Sequence, residues 1–332
     1  MAGDAGGTQV ESKDRMSRDF ASEHRSRSHL AWKLVATAVT AASLVWVLWL
    51  LARVWPDLAA HSAEIRVLPL LLGMALSLLA SYLTFEAFAP LVRILRISGL
   101  PRRELAHLYF TAQLLKHLPG RVWGIGYQWA AGRSAGSLGD WVLVNLGHAL
   151  LATFFALWSA WLALGFSSGA AWGLLAAVGG AIAYIGGWLL VSSRRLWRWL
   201  AWLPGWIETL GRGILDILQR TPASTRLWIF VLFSSSSLFY YASWFLYGVS
   251  YPPLGAGGGV KLCAFYMLAW FVGYVSLLTP SGLGVRELVF AWLAKDFPGD
   301  AVALMAVVGR GNLLSVDLIM GLIFARFAPR KS

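Results

Sequence analysis

Apolar runs of about 20 residues recur along the chain, separated by shorter stretches that carry most of its arginines. Each of six runs predicts a helix able to cross a hydrocarbon layer roughly 30 Å thick. They are about Trp32–Ala52, Val67–Leu91, Asp140–Leu164, Ala170–Ser192, Leu227–Ser250 and Ala301–Phe324. Two further regions are apolar but interrupted. Arg103–Gly132 has legs of about 15 and 11 residues around His117-Leu-Pro-Gly120, and Leu262–Phe297 has legs of about 17 and 13 residues around Thr279-Pro-Ser-Gly282. A 13-residue helix is only about 20 Å long, so residues 103–132 and 262–297 are expected to be re-entrant hairpins. Parity of the six spans opens the first hairpin to the cytoplasm and the second to the outside. The predicted fold class is an all-α polytopic membrane protein: six spanning helices plus two oppositely oriented re-entrant hairpins, arranged as an inverted repeat.

Composition agrees with this pattern. The 332 residues are 58% hydrophobic and 13% charged, more apolar surface than a soluble domain could cover. One cysteine, Cys263, excludes an internal disulfide and a cysteine metal cluster, and the six histidines have no metal-ligand spacing, so no metal or cofactor is expected. The net charge of +12 would suit nucleic acid, but the positions of the basic residues follow membrane topology instead. With the N-terminus inside, the segments placed inside hold eighteen Lys and Arg, and those outside hold only Arg53, Arg66 and Lys261. Both termini are therefore expected in the cytoplasm, on a multi-pass protein of the cell (inner or plasma) membrane.

Residues 1–30 are polar, lack the apolar core of a signal peptide, and predict a disordered cytoplasmic tail; Met16 is an alternative start. The transmembrane domain covers 31–328. Residues 194–220, with Trp197, Trp199, Trp202 and Trp206 among basic residues, predict a cytoplasmic segment lying at the interface. Tyr251–Val260, "YPPLGAGGGV", is expected to be a flexible external loop. Gly179, Ala183 and Gly187 form a small-residue stripe suited to close helix packing. Ser234–Ser237 suit either a polar cavity or helix packing.

Ionisable groups at bilayer depth are costly and mark function by default. Seven stand out: Glu86, Lys116, Arg121, Arg286, Glu287, Arg310 and Asp317. Lys116 and Arg121 bracket the first break, and Arg286 and Glu287 follow the second. Arg310 and Asp317, seven residues apart, share a helix face, with Glu287 the expected partner of Arg310. Glu86 lies near the end of its span and is expected to reach water. Lys295 and Asp296 are expected to be solvated, and Asn145 and His148 to bond between helices. For Arg286, Glu287 and Arg310 the choice lies between binding a ligand and holding the second hairpin in place.

Broken backbone is tolerated at membrane depth only where it is buried in protein or lines a polar cavity. Two interrupted segments at corresponding places in two halves point to a transporter site between inverted repeats. The breaks are locally alike: "LLKHLPGRVWG" from Leu114 and "SLLTPSGLGVRE" from Ser276. Pro119, Gly120, Pro280, Gly282 and Gly284 are the breaking residues. A half-helix beginning after Gly120 or Gly284 would point its positive end into the interior. With Lys116, Arg121 and Arg286 nearby, these ends predict an anion site whose natural ligand in a membrane is a phosphate-bearing lipid headgroup.

"HLPGRVWGIGYQ" (His117–Gln128) and "TPSGLGVRE" (Thr279–Glu287) resemble the paired signatures of the lysylphosphatidylglycerol synthase transmembrane region, the flippase-like domain family, over roughly residues 30–328. Bifunctional members join this membrane part to a soluble aminoacyltransferase domain, which this sequence lacks. The resemblance implies a stand-alone lipid translocator associated with lipid, hopanoid or polyprenyl-linked glycan pathways. By position it implies roles for Lys116, Pro119, Gly120, Arg121, Trp123, Pro280, Gly282, Gly284, Arg286 and Glu287. Ser281 replaces the first glycine of the usual Pro-Gly-Gly.

The expected function is a lipid flippase that moves an anionic phospholipid or a polyprenyl-phosphate-linked lipid between leaflets. Lys116, Arg121, Trp123, Arg286, Glu287 and Arg310 would bind the substrate. No GxxxxGK[ST] loop provides for ATP, so uphill transport would need an ion gradient, with Asp317, Glu287 or Glu86 as proton carriers. No catalytic motif is recognisable, and an enzyme is not expected. The alternatives are a membrane-embedded accessory subunit or a glycosyltransferase of a lipid-linked glycan pathway. The expected partners are a lipid with an anionic headgroup and enzymes of lipid modification or glycan synthesis, and not nucleic acid.

Overall fold

The structure is a computed structural model. It describes residues 65–95, 97, 99–117, 123–132, 134–191, 193, 221–251, 254–275 and 284–327, together with Ala52 and Pro56. The expected tail (1–30), the first expected span (Trp32–Ala52, apart from its last residue) and the interfacial segment (194–220) lie outside the described residues.

The described chain is helical. In order its helices are α1 (Val67–Ile94), α2 (Arg102–Leu115), α3 (Trp123–Ala131), α4 (Leu138–Ser168), α5 (Ala170–Val191), α6 (Ala223–Val249), α7 (Gly255–Val275), α8 (Val285–Leu293) and α9 (Gly299–Ala325). Six are long and apolar enough to cross a membrane, and together they make this a multi-pass membrane protein: α1, α4, α5, α6, α7 and α9. Their outer faces carry exposed Leu71, Leu150, Leu175, Ile182, Leu238 and Leu322, which suit a hydrocarbon solvent.

Five of these six agree with the expected spans. The sixth, α7, is a correction. It begins at Gly255, inside the stretch expected to be an external loop, and runs for 21 residues, about 31 Å. The Gly257-Gly-Gly259 run is costly in a helix, but here it allows close approach to α6. A Cβ on Gly248 would lie 3.2 Å from Gly259 Cα, and Tyr241 donates to Val260 O at 3.0 Å. The first leg of the second hairpin is therefore longer than its expected 17 residues and long enough to span.

Both interrupted regions fold as antiparallel helical pairs. Between α2 and α3, His107 Nε2 meets Tyr127 Oη at 2.8 Å, and a Cβ on Gly124 would lie 2.9 Å from Ala112 O. Between α7 and α8, the Tyr266 and Phe290 rings meet at 5.1 Å, and Phe297 packs back against Phe265 at 6.1 Å. The second legs, α3 and α8, have nine residues each, shorter than expected.

Helix packing has a regular plan. The most extensive pair is α1 with α6, which run antiparallel: positions 73, 77 and 84 meet 247, 243 and 236. The first hairpin's α2 lies on α9, and the second hairpin's α7 lies on α4, so each hairpin lies against the long helix that follows the other hairpin. Exchanging α1 with α6, α2 with α7, α3 with α8 and α4 with α9 turns nearly every close helix pair into another close pair. Among the described residues, the α7–α9 contact and the partnership of α5 with α4 have no equally close counterpart.

The contact between α4 and α5 bears out one residue of the predicted small-residue stripe and not the other two. The face turned to α4 carries Gly173, Ala176, Gly180 and Tyr184, and of the predicted stripe only Gly179 joins it, where an added Cβ would lie 3.2 Å from the Trp161 ring. A Cβ on Gly180 would collide with the Trp158 ring, whose Nε1 donates to Ala176 O at 3.0 Å. Ala183 is exposed, and nothing lies within 4 Å of a Cβ built on Gly187. Small residues alternate all round this helix, so only the bulky tryptophan of α4 decides which set is used.

Candidate functional site

The last helix, α9, organises the buried charges. Asp317 points at the end of the first hairpin's α2, where one carboxylate oxygen, Oδ2, receives both Lys116 Nζ at 2.9 Å and His117 Nε2 at 2.7 Å. Lys116 also donates to Gln113 Oε1 at 2.9 Å. Asp317 is only 5% exposed, so its charge is held by the Lys116 ammonium and the His117 ring and not by water. Two turns earlier on α9, Arg310 lies within electrostatic reach of Arg286 and Glu287 of the second hairpin, and also of His117 of the first. The polar stripe of α9 thus touches both hairpins, with Asp317 on one and Arg310 close to the other.

Two glycines seat the hairpins against α9. Gly321 receives Leu114 of α2, whose Cγ would lie 3.0 Å from an added Cβ, and Gly309 receives Tyr266 of α7. Gly321 lies one turn after Asp317, and Gly309 directly precedes Arg310.

In the second hairpin, Gly284 adopts φ +81°, a conformation that favours glycine, and α8 begins directly after it. Glu287 turns back to accept the Gly284 N–H at 2.8 Å, as a helix-capping carboxylate does. That donor is satisfied within the helix. Arg286 and Glu287 are 3% and 4% exposed, and Tyr266 lies within their field together with Arg310. The other oxygen of Glu287, Oε1, is buried and has no hydrogen-bond partner among the described residues.

Of the remaining predicted residues, Trp123 stands half exposed at the start of α3. Glu86 is not joined to the Asp317 cluster. It pairs with Arg102 at the start of α2, and this carboxylate raises the Arg102 pKa through their hydrogen bond and charge attraction. Glu86 lines an open cleft of about 460 Å³ with Arg93, Arg102, Thr225 and Trp228. Pro119, Gly120, Arg121, Pro280 and Gly282 lie outside the described residues. Lys295 and Asp296 are exposed.

Sequence reasoning missed a neutral polar chain between the two hairpin ends. Ser77 of α1 and Ser243 of α6 meet at 2.6 Å, Asn312 Nδ2 of α9 donates to Ser77 Oγ at 2.9 Å, and Tyr247 Oη donates to Asn312 Oδ1 at 2.6 Å. Further along the same interface, Thr84 meets Ser236 at 2.6 Å and His148 Nε2 contacts Thr84 O at 3.3 Å. Ser236 and Ser237 are buried here between helices. Asn145 donates to Gln128 of α3 at 2.6 Å, tying the first hairpin to α4. The arrangement places basic residues beside carboxylates inside a bundle whose outer surface is apolar. Comparison with models of protein families, with curated proteins and with solved structures finds no match.

Proposed function

We propose that this protein is a lipid transporter that holds an anionic headgroup between its two hairpin breaks and passes it from one leaflet to the other. One observation carries this reading: α9 brings Asp317 onto Lys116 and His117 of one hairpin and Arg310 into the field of Arg286 and Glu287 of the other. Charges concentrated at two backbone breaks inside an apolar bundle are costly unless they serve a ligand.

The exchange relation among the helices supports an inverted repeat. The equivalent helices α1 and α6 run antiparallel, as inversion requires, and each hairpin leans on the other half. In such an arrangement one half rocks against the other around a fixed site. In the proposed topology the hairpins are re-entrant and opposed, both termini are cytoplasmic, and the bilayer is the cell membrane. The resemblance of the two motifs to the flippase-like family points the same way. Transport here is a binding and gating task and does not call for a catalytic centre.

The test compares wild type with Arg286→Ala. Lipids that co-purify with each are identified by mass spectrometry, and movement of labelled lipid is followed after reconstitution into vesicles. One anionic lipid class enriched on wild type and lost from the variant, with transport abolished, is the expected result. A folded, membrane-inserted Arg286→Ala that still moves lipid normally overturns the site assignment.

A further inference from the structure

Lys116 and His117 of the first hairpin already hold an anion, and it belongs to the protein. Lys116 Nζ and His117 Nε2 converge on a single oxygen of Asp317, at 2.9 and 2.7 Å, and the carboxylate is almost fully buried. Resting on the transporter reading above, we propose that Asp317 is the resident anion of this site. The ligand's phosphate takes its place on Lys116 and His117, and that exchange selects a terminal phosphomonoester over a phosphodiester.

The argument is one of charge. A phosphodiester carries a single negative charge, so exchanging it for the carboxylate gains nothing, and the displaced Asp317 loses its partners in a buried place. A phosphomonoester carries about −1.5 to −2 at pH 7 and presents three strong acceptor oxygens. Two of these can meet Lys116 and His117 while the third faces Arg310, which already lies within the field of His117. Among the described residues at the two breaks, Lys116, Arg286 and Arg310 face Asp317 and Glu287, leaving one net positive charge. A proton taken up by His117 as the phosphate arrives would add another. A doubly charged phosphate is the anion that matches it.

The geometry is set in advance. Gln113 steadies Lys116 from the preceding turn at 2.9 Å, and Gly321 lets Leu114 lie close against α9. The height of Lys116 relative to Asp317 is therefore fixed by packing. The ligand chemistry, a terminal phosphate, can come from a lipid or from free phosphate, and the experiment separates the two.

Full-length protein in phosphatidylcholine nanodiscs is titrated with phosphatidic acid, phosphatidylglycerol of the same acyl chains, and inorganic phosphate, with occupancy read by native mass spectrometry. Wild type is expected to prefer phosphatidic acid by about tenfold or more, the worth of one further charge in a partly screened site. Asp317→Asn, which leaves the cations without their resident anion, is expected to bind phosphatidylglycerol more tightly and to reduce the preference to less than about threefold. If Asp317→Asn does not fold, the charge-balanced Lys116→Gln/Asp317→Asn pair serves instead, and it is expected to lose the preference. Equal binding of both lipids by wild type, or a preference untouched by Asp317→Asn, overturns the exchange while leaving the anionic-lipid transporter intact. Binding of neither lipid overturns both. Inorganic phosphate competing as tightly as phosphatidic acid keeps the exchange and overturns the lipid as its ligand.

Discussion

Gly309 on α9 and Tyr266 on α7 meet so closely that a Cβ on the glycine would lie 2.6 Å from Cζ of the ring. Trp244 closes the same spot from α6, at 2.7 Å, and its ring lies 4.3 Å from that of Tyr266. Phe290 of α8 packs edge-on against Tyr266 at 5.1 Å. Rings held on three sides cannot swing aside cheaply. Gly309→Ala is expected to destabilise the folded protein by about 1–3 kcal/mol, the usual cost of overpacking. Gly311→Ala is the control. Its added Cβ would meet nothing within 4 Å, and the gain in helix propensity is at most about 1 kcal/mol. Thermal unfolding of both variants in one detergent checks this; equal midpoints would mean that α7 and α9 are not pinned here.

The buried hydroxyls make a weaker bond than their burial suggests. Ser77 and Ser243 meet at 2.6 Å at the centre of the α1–α6 interface, and Asn312 donates to Ser77. In a membrane the unfolded helices find other polar partners, so such pairs average only about 0.6 kcal/mol. A double-mutant cycle of Ser77→Ala and Ser243→Ala should give a coupling of that size. Asn312→Leu removes more. It takes from the buried Tyr247 hydroxyl its Asn312 acceptor and from Ser77 Oγ one of its two partners, and should cost about 1–3 kcal/mol. Unfolding in a mild detergent measures both, and an Asn312→Leu variant as stable as wild type would show that water reaches this chain.

The spans were legible because an apolar run of about 20 residues has few other uses. The breaks were legible because Pro and Gly interrupt such runs in only a few ways. The start of α7 was not: three consecutive glycines normally mark a loop, and only the nearness of Gly248 and Phe245 makes them helical. The pairing of Asp317 with His117 spans 200 residues of sequence and has no local signature. His117 stood in a quoted motif without being singled out. One missed relation was readable: a glycine followed three residues later by glutamate, Gly284 and Glu287, is the pattern of a helix cap. Which small-residue face of α5 is used depends on Trp158 of another helix, and periodicity alone does not choose between them.

Glu86 and Asp317 were both candidates for a proton or polar relay, but their surroundings differ. Glu86 pairs with Arg102, whose side chain is 56% exposed, at the mouth of an open cleft. Such a pair is worth about 0–1 kcal/mol and is screened by salt. Glu86→Gln is expected to leave transport within about twofold of wild type and stability within about 1 kcal/mol. Asp317→Asn, which breaks two buried contacts, is expected to change transport far more. Parallel vesicle assays of the two variants decide the matter. Loss of transport in Glu86→Gln would restore the outer carboxylate to the path.

Sidedness can be tested at residues whose exposure is known. Cys263 is buried, so Cys263→Ala gives a background without a reactive thiol. Arg103 and Ser134 are exposed residues near the two open ends of the first hairpin, and Lys261 and Lys295 near those of the second. A re-entrant hairpin brings both its ends to one membrane face, and an inverted pair uses opposite faces. Single cysteines at Arg103 and Ser134 should therefore react with an impermeant maleimide from the cytoplasmic face only, and those at Lys261 and Lys295 from the outer face only. The length of α7 makes the second pair the more informative. A 21-residue helix can cross fully, and α8, about 13 Å long, can return only part of the way unless residues 276–283 cover the rest. If Lys261 and Lys295 react from opposite faces, α7 is a full span, the second region is not re-entrant, and the two halves differ in topology. If they react from the same outer face, nine residues of α8 and the connection before it carry the chain back, and the break before Gly284 lies at depth.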